Sequence, residues 1–257
     1  MSAVITVTNN KGGVGKTTTV VNLGAALSRR GHKVLLIDYD GQANLSTALG
    51  VKPTDGRDSF HAVQRQPLER VQPYRVADND REVLDVLPGT RDLQALTHDF
   101  AARLRKLVEL YREYYDSIII DTTTALGPLT ISAISAADEL IIPCLPQKLS
   151  ICGLLELRAT VDQLTGGRFA DVPAEVLFTQ YDRRKRLHRQ VVEAVENSGF
   201  KVFDTKIRDN VDIGEAQAAN VDIFSYNPKS NGAADYEALA DEWSKHGRQR
   251  PKKGNKA

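Results

Sequence analysis

The chain has 257 residues, 41% of them hydrophobic, long enough for one large α/β domain with a substantial core. Its 34 Lys and Arg against 33 Asp and Glu leave a net charge of +1, which excludes a global polyanion-binding field and leaves any nucleic-acid surface to local clustering. Two cysteines, Cys144 and Cys152, are too few for a disulfide framework and lack zinc-ligand spacing. Both are expected to be reduced thiols in or near the core. The N-terminus has no signal-peptide pattern, and no apolar run nears the ~20 residues of a membrane span, so a cytoplasmic location without membrane attachment is expected.

The first apolar run, Ala3–Val7, reads as a strand, and a helical pattern follows over Thr17–Arg30. Lys33–Asp38 reads as a buried strand. Residues 51–80, rich in Pro, Asp, Arg and Gln, read as an irregular surface insertion. Strands are then expected at Val83–Leu87, Ser117–Asp121, Glu139–Cys144, Glu175–Thr179 and Lys201–Asp204. Helical stretches fall at Arg91–Tyr114, Leu149–Leu164, Arg186–Asn197 and Ala233–Lys245. Short Val/Ile/Leu runs without alternation suit parallel strands covered on both faces. Their alternation with helices predicts an α/β fold, a doubly wound, mostly parallel sheet with helices on both faces. Ligands of such sheets bind at the carboxyl ends of the strands. One domain is expected over residues 1–246, and Gly247–Ala257 as a basic, disordered tail.

Between the first strand and the first helix lies Asn9-Asn10-Lys11-Gly12-Gly13-Val14-Gly15-Lys16-Thr17-Thr18. Strand, glycine-rich turn and helix N-terminus together cradle phosphate, because backbone N–H groups and the positive end of the helix dipole face the anion. The P-loop spacing G-x-x-x-x-G-K-[ST] is intact in Gly15-Lys16-Thr17, with Asn10 in place of the first glycine and an extra lysine, Lys11. Lys16 is expected on the β- and γ-phosphates and Thr17 on Mg²⁺. Gly12, Gly13 and Gly15 free the backbone to wrap the phosphates, with Val14 and Thr18 completing the cradle. The plain alternative is an exposed Gly/Lys turn; the flanking strand and helix outweigh it. Asp121 ends an apolar strand in the Walker B pattern that holds Mg²⁺. Asp38 and Asp40 end another, where carboxylates also serve simply to cap turns.

The pattern K-G-G-x-G-K-T resembles the deviant Walker A signature of the ParA/MinD family of ATPases, Soj-like members among them. That resemblance implies an ATP- and Mg²⁺-dependent hydrolase, slow and partner-stimulated, with Lys11 reaching across a homodimer to phosphates held by the other subunit. The segment LLIDYDGQANLSTALG is similar to the family's D-x-D-P-Q-x-N, with Gly41 replacing the proline. By that match Asp40 orients the attacking water, joining Lys11 and Lys16 in the catalytic set, while Asp38 sits near the metal, behind Thr17 and Asp121. Thr122-Thr123-Thr124 departs from the two prolines the family commonly has after Asp121.

Further on, Phe178–Asp182 with Arg183, Arg184, Lys185, Arg186 and Arg189 resembles a ParA segment whose basic residues contact DNA nonspecifically. Five cations beside one acid, Asp182, make a local patch suited to phosphate contacts; a solvated helix face is the plain reading. Lys206–Ala216 resembles the family's I-P-R-N-x-x-L-x-E-A loop near the adenine, which implicates Ile207 and Arg208, with Asp209 and Asp212 as departures. Tyr226–Ala233 is similar to the entry into the family's last helix, with Ser230 as a possible cap and Lys229 a further DNA candidate.

The resemblance spans residues 1–245 and is weakest over 51–115. It implies a nucleoid-associated switch that dimerises on ATP, binds duplex DNA without sequence preference and partitions plasmids or chromosomes with a ParB-like partner. The alternative is a MinD-like or protein-cargo positioning switch. A MinD-like membrane switch needs an apolar helix face, and Ser244–Ala257 has none. An iron–sulfur reductase like the nitrogenase iron protein needs two placed thiolates, and Cys144 and Cys152 lie in no matching motif.

Overall fold

In the computed structural model, residues 2–78, 82–96, 99 and 102–249 are described. The apolar runs become β1 (Ala3–Val7), β2 (Lys33–Tyr39), β4 (Val83–Leu87), β5 (Ser117–Thr122), β6 (Glu139–Cys144) and β7 (Ala174–Phe178). With β3 (Tyr74–Asp78) and β8 (Lys201–Val202) they form one sheet ordered β3-β4-β2-β5-β1-β6-β7-β8. All pairings are parallel except β3 with β4. Every residue of β5 and β6 is buried, as strands covered on both faces must be.

One face is covered by α1 (Lys16–Arg29), α2 (Asn44–Ala48), α9 (Val211–Ala218), α10 (Ile223–Tyr226) and α11 (Asn231–Gln249). The other is covered by α3 (Ser59–Gln64), α4 (Leu104–Tyr111), α5 (Pro128–Ala136), α6 (Ser150–Thr165), α7 (Arg168–Asp171) and α8 (Arg186–Asn197). Helices on both faces of a mostly parallel sheet make the doubly wound α/β fold expected from the alternation. No helix among the described residues is long and apolar enough to cross a membrane.

Five expectations change. Residues 51–80 are not an irregular insertion: they hold α3 and the antiparallel edge strand β3, and Ala62, Val63 and Val71 are buried in the core. The helix expected over Arg91–Tyr114 is a 3-10 turn, Arg91–Ala95, and then α4. Only α4 has helical apolar spacing, with Leu104, Leu107, Val108 and Tyr111 all buried; residues 97, 98, 100 and 101 lie outside the described residues. The strand expected over Lys201–Asp204 stops at Val202, and the amides of Asp204 and Thr205 instead donate to the Glu242 carboxylate on α11 at 2.6 and 2.8 Å. Cys144 is buried, but Cys152 is exposed on α6. The last helix runs to Gln249, past the expected start of the tail; residues 250–257 lie outside the described residues.

Candidate nucleotide site

The loop from Thr8 to Gly15 joins the carboxyl end of β1 to α1. Gly13 and Gly15 have φ of +71° and +88°, the left-handed region that favours glycine. Buried Asn9 shapes the turn: its Nδ2 donates to Pro143 O at 2.7 Å and its Oδ1 accepts from the Lys11 amide at 3.0 Å. On the far side, Thr179 at the end of β7 donates Oγ1 to Val14 O at 2.8 Å. With no side-chain cap on α1, its first amides remain available to an anion. Thr18 lies in that first turn, and its carbonyl accepts from Asn22 Nδ2.

Lys16 is buried, and its Nζ donates to Lys11 O at 3.2 Å. Burial lowers its pKa, against the charges of Asp121 and Asp40. Thr17 Oγ1 donates to Asp121 Oδ2 at 2.7 Å. The other oxygen, Asp121 Oδ1, is buried without a hydrogen-bond partner. Burial first, and then the charge of Asp38, raise the Asp121 pKa to about 8, while the Thr17 hydrogen bond opposes the rise. A partnerless carboxylate oxygen in a dry site calls for a cation. Among the described residues no group of three or more His, Cys, Asp and Glu forms a metal cage. Mg²⁺ at phosphoryl-transfer sites needs none, since it takes one or two protein oxygens and the substrate's phosphates. Thr17 and Asp121 fit that arrangement.

Asp38 lies beside Asp121 across the β2–β5 ladder and is fully buried. Burial raises its pKa to about 6 despite hydrogen bonds from Ser46 and the Asp40 amide. Both of its oxygens already accept protein hydrogen bonds. Asp40 is buried near Lys16; its Oδ1 accepts from the Gln42 amide at 3.0 Å and its Oδ2 from Asn44 Nδ2 at 3.4 Å. Lys11 is exposed on the rim, with Nζ donating to Gln147 Oε1 at 2.5 Å. Gly12 and Gly13 beside it are exposed.

The Ile207–Arg208 loop zips onto the end of β7: Ile207 N donates to Phe178 O and Tyr181 N to Ile207 O. Ile207 is buried, and the Arg208 guanidinium is committed to Asp235, with Nη2 to Oδ1 at 2.7 Å. An open cleft of about 810 Å³ is lined by residues from 181–184 and 204–209, which meet at the Tyr181–Arg208 bridge. Arg183, Arg184, Lys185, Arg186 and Arg189 gather, exposed, at the start of α8. Arg184 forks onto Asp182 with both contacts at 3.0 Å, and Arg189 Nη1 donates to Arg183 O at 2.5 Å. Lys229 is exposed before α11, in the other helix layer. Ser230 caps α11, accepting from the Ala233 amide at 3.0 Å. Asn9, Ser46 and Thr179 lie within segments singled out in the sequence but with no role assigned to them there, and Gly89 lies in none; all four shape the site.

A family model described as an AAA domain matches residues 2–169. The chain is 36% identical over 255 residues to the sporulation initiation inhibitor protein Soj of Bacillus subtilis, covering 96% of this chain and 100% of that one. It is 37% identical to the chromosome-partitioning ATPase Soj of Thermus thermophilus, covering 93% and 94%. Among solved structures it is similar to a cobyrinic acid a,c-diamide synthase of Mycobacterium smegmatis with bound ADP and magnesium, at a TM-score of 0.78 and 27% identity over 97% and 96% of the two chains.

Proposed function

The chain belongs to the ParA/MinD superfamily of deviant-Walker-A P-loop ATPases, close to the Soj and ParA partitioning proteins, and from that premise we propose that it is an ATP-driven partitioning switch. The observation that carries the reading is the buried Lys16 beside the Thr17–Asp121 pair, whose Oδ1 has no partner. Lys16 balances phosphate charge, while Thr17 and Asp121 hold Mg²⁺, which neutralises charge on the phosphates. Asp40, close enough for its charge to act on Lys16, is the carboxylate that orients the attacking water. Its hydrogen bonds to Gln42 and Asn44 fix its direction.

On this reading Lys11 leaves Gln147 and reaches phosphates held by a second subunit, so ATP drives dimerisation. The dimer doubles the basic patch on α8, so individually weak phosphate contacts act together on duplex DNA. A ParB-like partner stimulates hydrolysis and release, moving a chromosome or plasmid, and the protein is cytoplasmic and nucleoid-associated. Replacing Asp40 by Ala should trap an ATP-bound dimer on DNA, since the water loses its orienting carboxylate while the phosphate contacts stay. Sedimentation with and without duplex DNA reads this out. A variant that hydrolyses ATP like the wild type, or stays monomeric with ATP, refutes the reading.

A further inference from the structure

Asp40, Gln42 and Asn44 lie on a short segment whose two ends meet at one carboxylate. Asp38 Oδ1 accepts from the Asp40 amide at 3.2 Å. Its Oδ2 accepts from the amide and the hydroxyl of Ser46 at 2.8 and 2.6 Å. Ser46 is buried in α2, and its Oγ in turn accepts from the Gly89 amide at 2.9 Å. Gly89 presses so close that a Cβ there would lie 2.8 Å from Asp38 Cγ and 3.0 Å from Asp40 O. Gln94, in the 3-10 turn, fills the space over Gly41, where a Cβ would meet its Cγ at 2.4 Å. Between the two anchors Ala43 is held at φ +53°, a conformation residues with a Cβ rarely adopt unless the surroundings impose it.

We infer that Ser46 is a positioning residue for ATP hydrolysis. With Asp38 and Gly89 it clamps the 40–46 segment, so that Asp40 stays beside Lys16. The inference rests on the ATPase reading of the phosphate loop. Ser46 is suited to the task because one hydroxyl both donates and accepts, joining α2, the end of β2 and the loop after β4. Its hydrogen bond to a buried carboxylate belongs to the stronger class, and removing it leaves the Gly89 amide without a partner. Asp38 adjoins Asp121 across the β2–β5 ladder, but among the described residues the Ser46 hydroxyl bonds only to Asp38 and Gly89 and to nothing in the phosphate cradle, so it governs turnover more than nucleotide affinity.

The test uses the full chain, with steady-state ATP hydrolysis and fluorescent Mg-ATP binding measured on each variant. Ser46→Ala should lower kcat about tenfold to a hundredfold, the range a small misplacement of a catalytic group produces. Its Mg-ATP Kd should stay within about threefold of the wild type. Ser46→Thr, which keeps the hydroxyl, should restore turnover, and Gly89→Ala should copy the loss by displacing the carboxylate. Should Ser46→Ala fail to fold, Ser46→Cys, with its weak donor, carries the same comparison. Turnover unchanged in Ser46→Ala, or affinity and turnover lost together with no rescue by Thr, overturns the inference. A wild type that binds Mg-ATP but never hydrolyses it overturns the ATPase reading, and the inference with it.

Discussion

The phosphate-loop end and the α8 face carry the same kinds of charge and use them in opposite ways. At the carboxyl ends of β1, β2 and β5, Lys16, Asp38, Asp40 and Asp121 are all buried. On α8 the cations are exposed, and the Arg184 side chain retains 87% of its accessible surface. A buried charge is costly unless matched, so a dry site holds few of them and depends on each. An exposed ion pair such as Arg184–Asp182 contributes little, so a surface patch works only by number. Function at the first end should therefore fail with one substitution. At the second it should fade gradually.

Lys16→Ala tests the first half of that contrast and carries the largest expected effect. Removing the buried ammonium should cut Mg-ATP affinity by roughly a thousandfold or abolish it, because a charge-assisted contact to phosphate in a dry site has no replacement. Fluorescent-nucleotide titration reads it directly. Wild-type affinity in this variant would break the comparison at its stronger end.

The second half is tested on α8. Arg186→Glu with Arg189→Glu should weaken duplex DNA binding by about tenfold to a hundredfold on every sequence and flatten the log–log salt slope by about 2. Either change alone should do visibly less. Mg-ATP affinity should survive, because neither residue contacts the phosphate loop. Unchanged DNA affinity across a salt titration would reduce the patch to a solvated helix face.

What the sequence makes legible follows the same division. Strand-end carboxylates and the phosphate loop are readable because their chemistry dictates both residue type and spacing: Lys16, Thr17 and Asp121 come together as expected. Strands β1, β2 and β5 are readable because burial on both faces demands unbroken apolar runs. Residues 51–80 were not, since β3 is an edge strand, half exposed and broken by a register shift between Arg75 and Ala77, and it shows neither an apolar run nor clean alternation. The roles of Ser46, Gly89 and Thr179 escape notice for another reason. Each acts through a contact with a segment distant in the chain, and a lone serine, glycine or threonine carries no local pattern.

The smallest expected effect is on stability, and it turns on the sign of two pKa shifts. Asp121 and Asp38 are raised to about 8 and about 6, mainly by burial, from an ordinary value of 3.8. The folded protein therefore keeps protons that the unfolded chain releases, and stability falls as pH rises. This contribution is fully present below the ordinary value and is lost by the time pH passes the folded values. Asp182 behaves in the opposite sense: Arg184 holds it well below the usual carboxylate range, so its small, solvent-screened contribution disappears only in strong acid. The thermal midpoint of the nucleotide-free protein should thus fall between about pH 5 and pH 8. Asp121→Asn should remove much of that drop, because the amide cannot ionise, whereas Arg184→Ala should leave it unchanged. Added Mg-ATP should raise the midpoint more at pH 8 than at pH 6, since the cation needs the ionised carboxylate. A slope identical in wild type and Asp121→Asn would mean that the buried carboxylate is not what distinguishes the two regions.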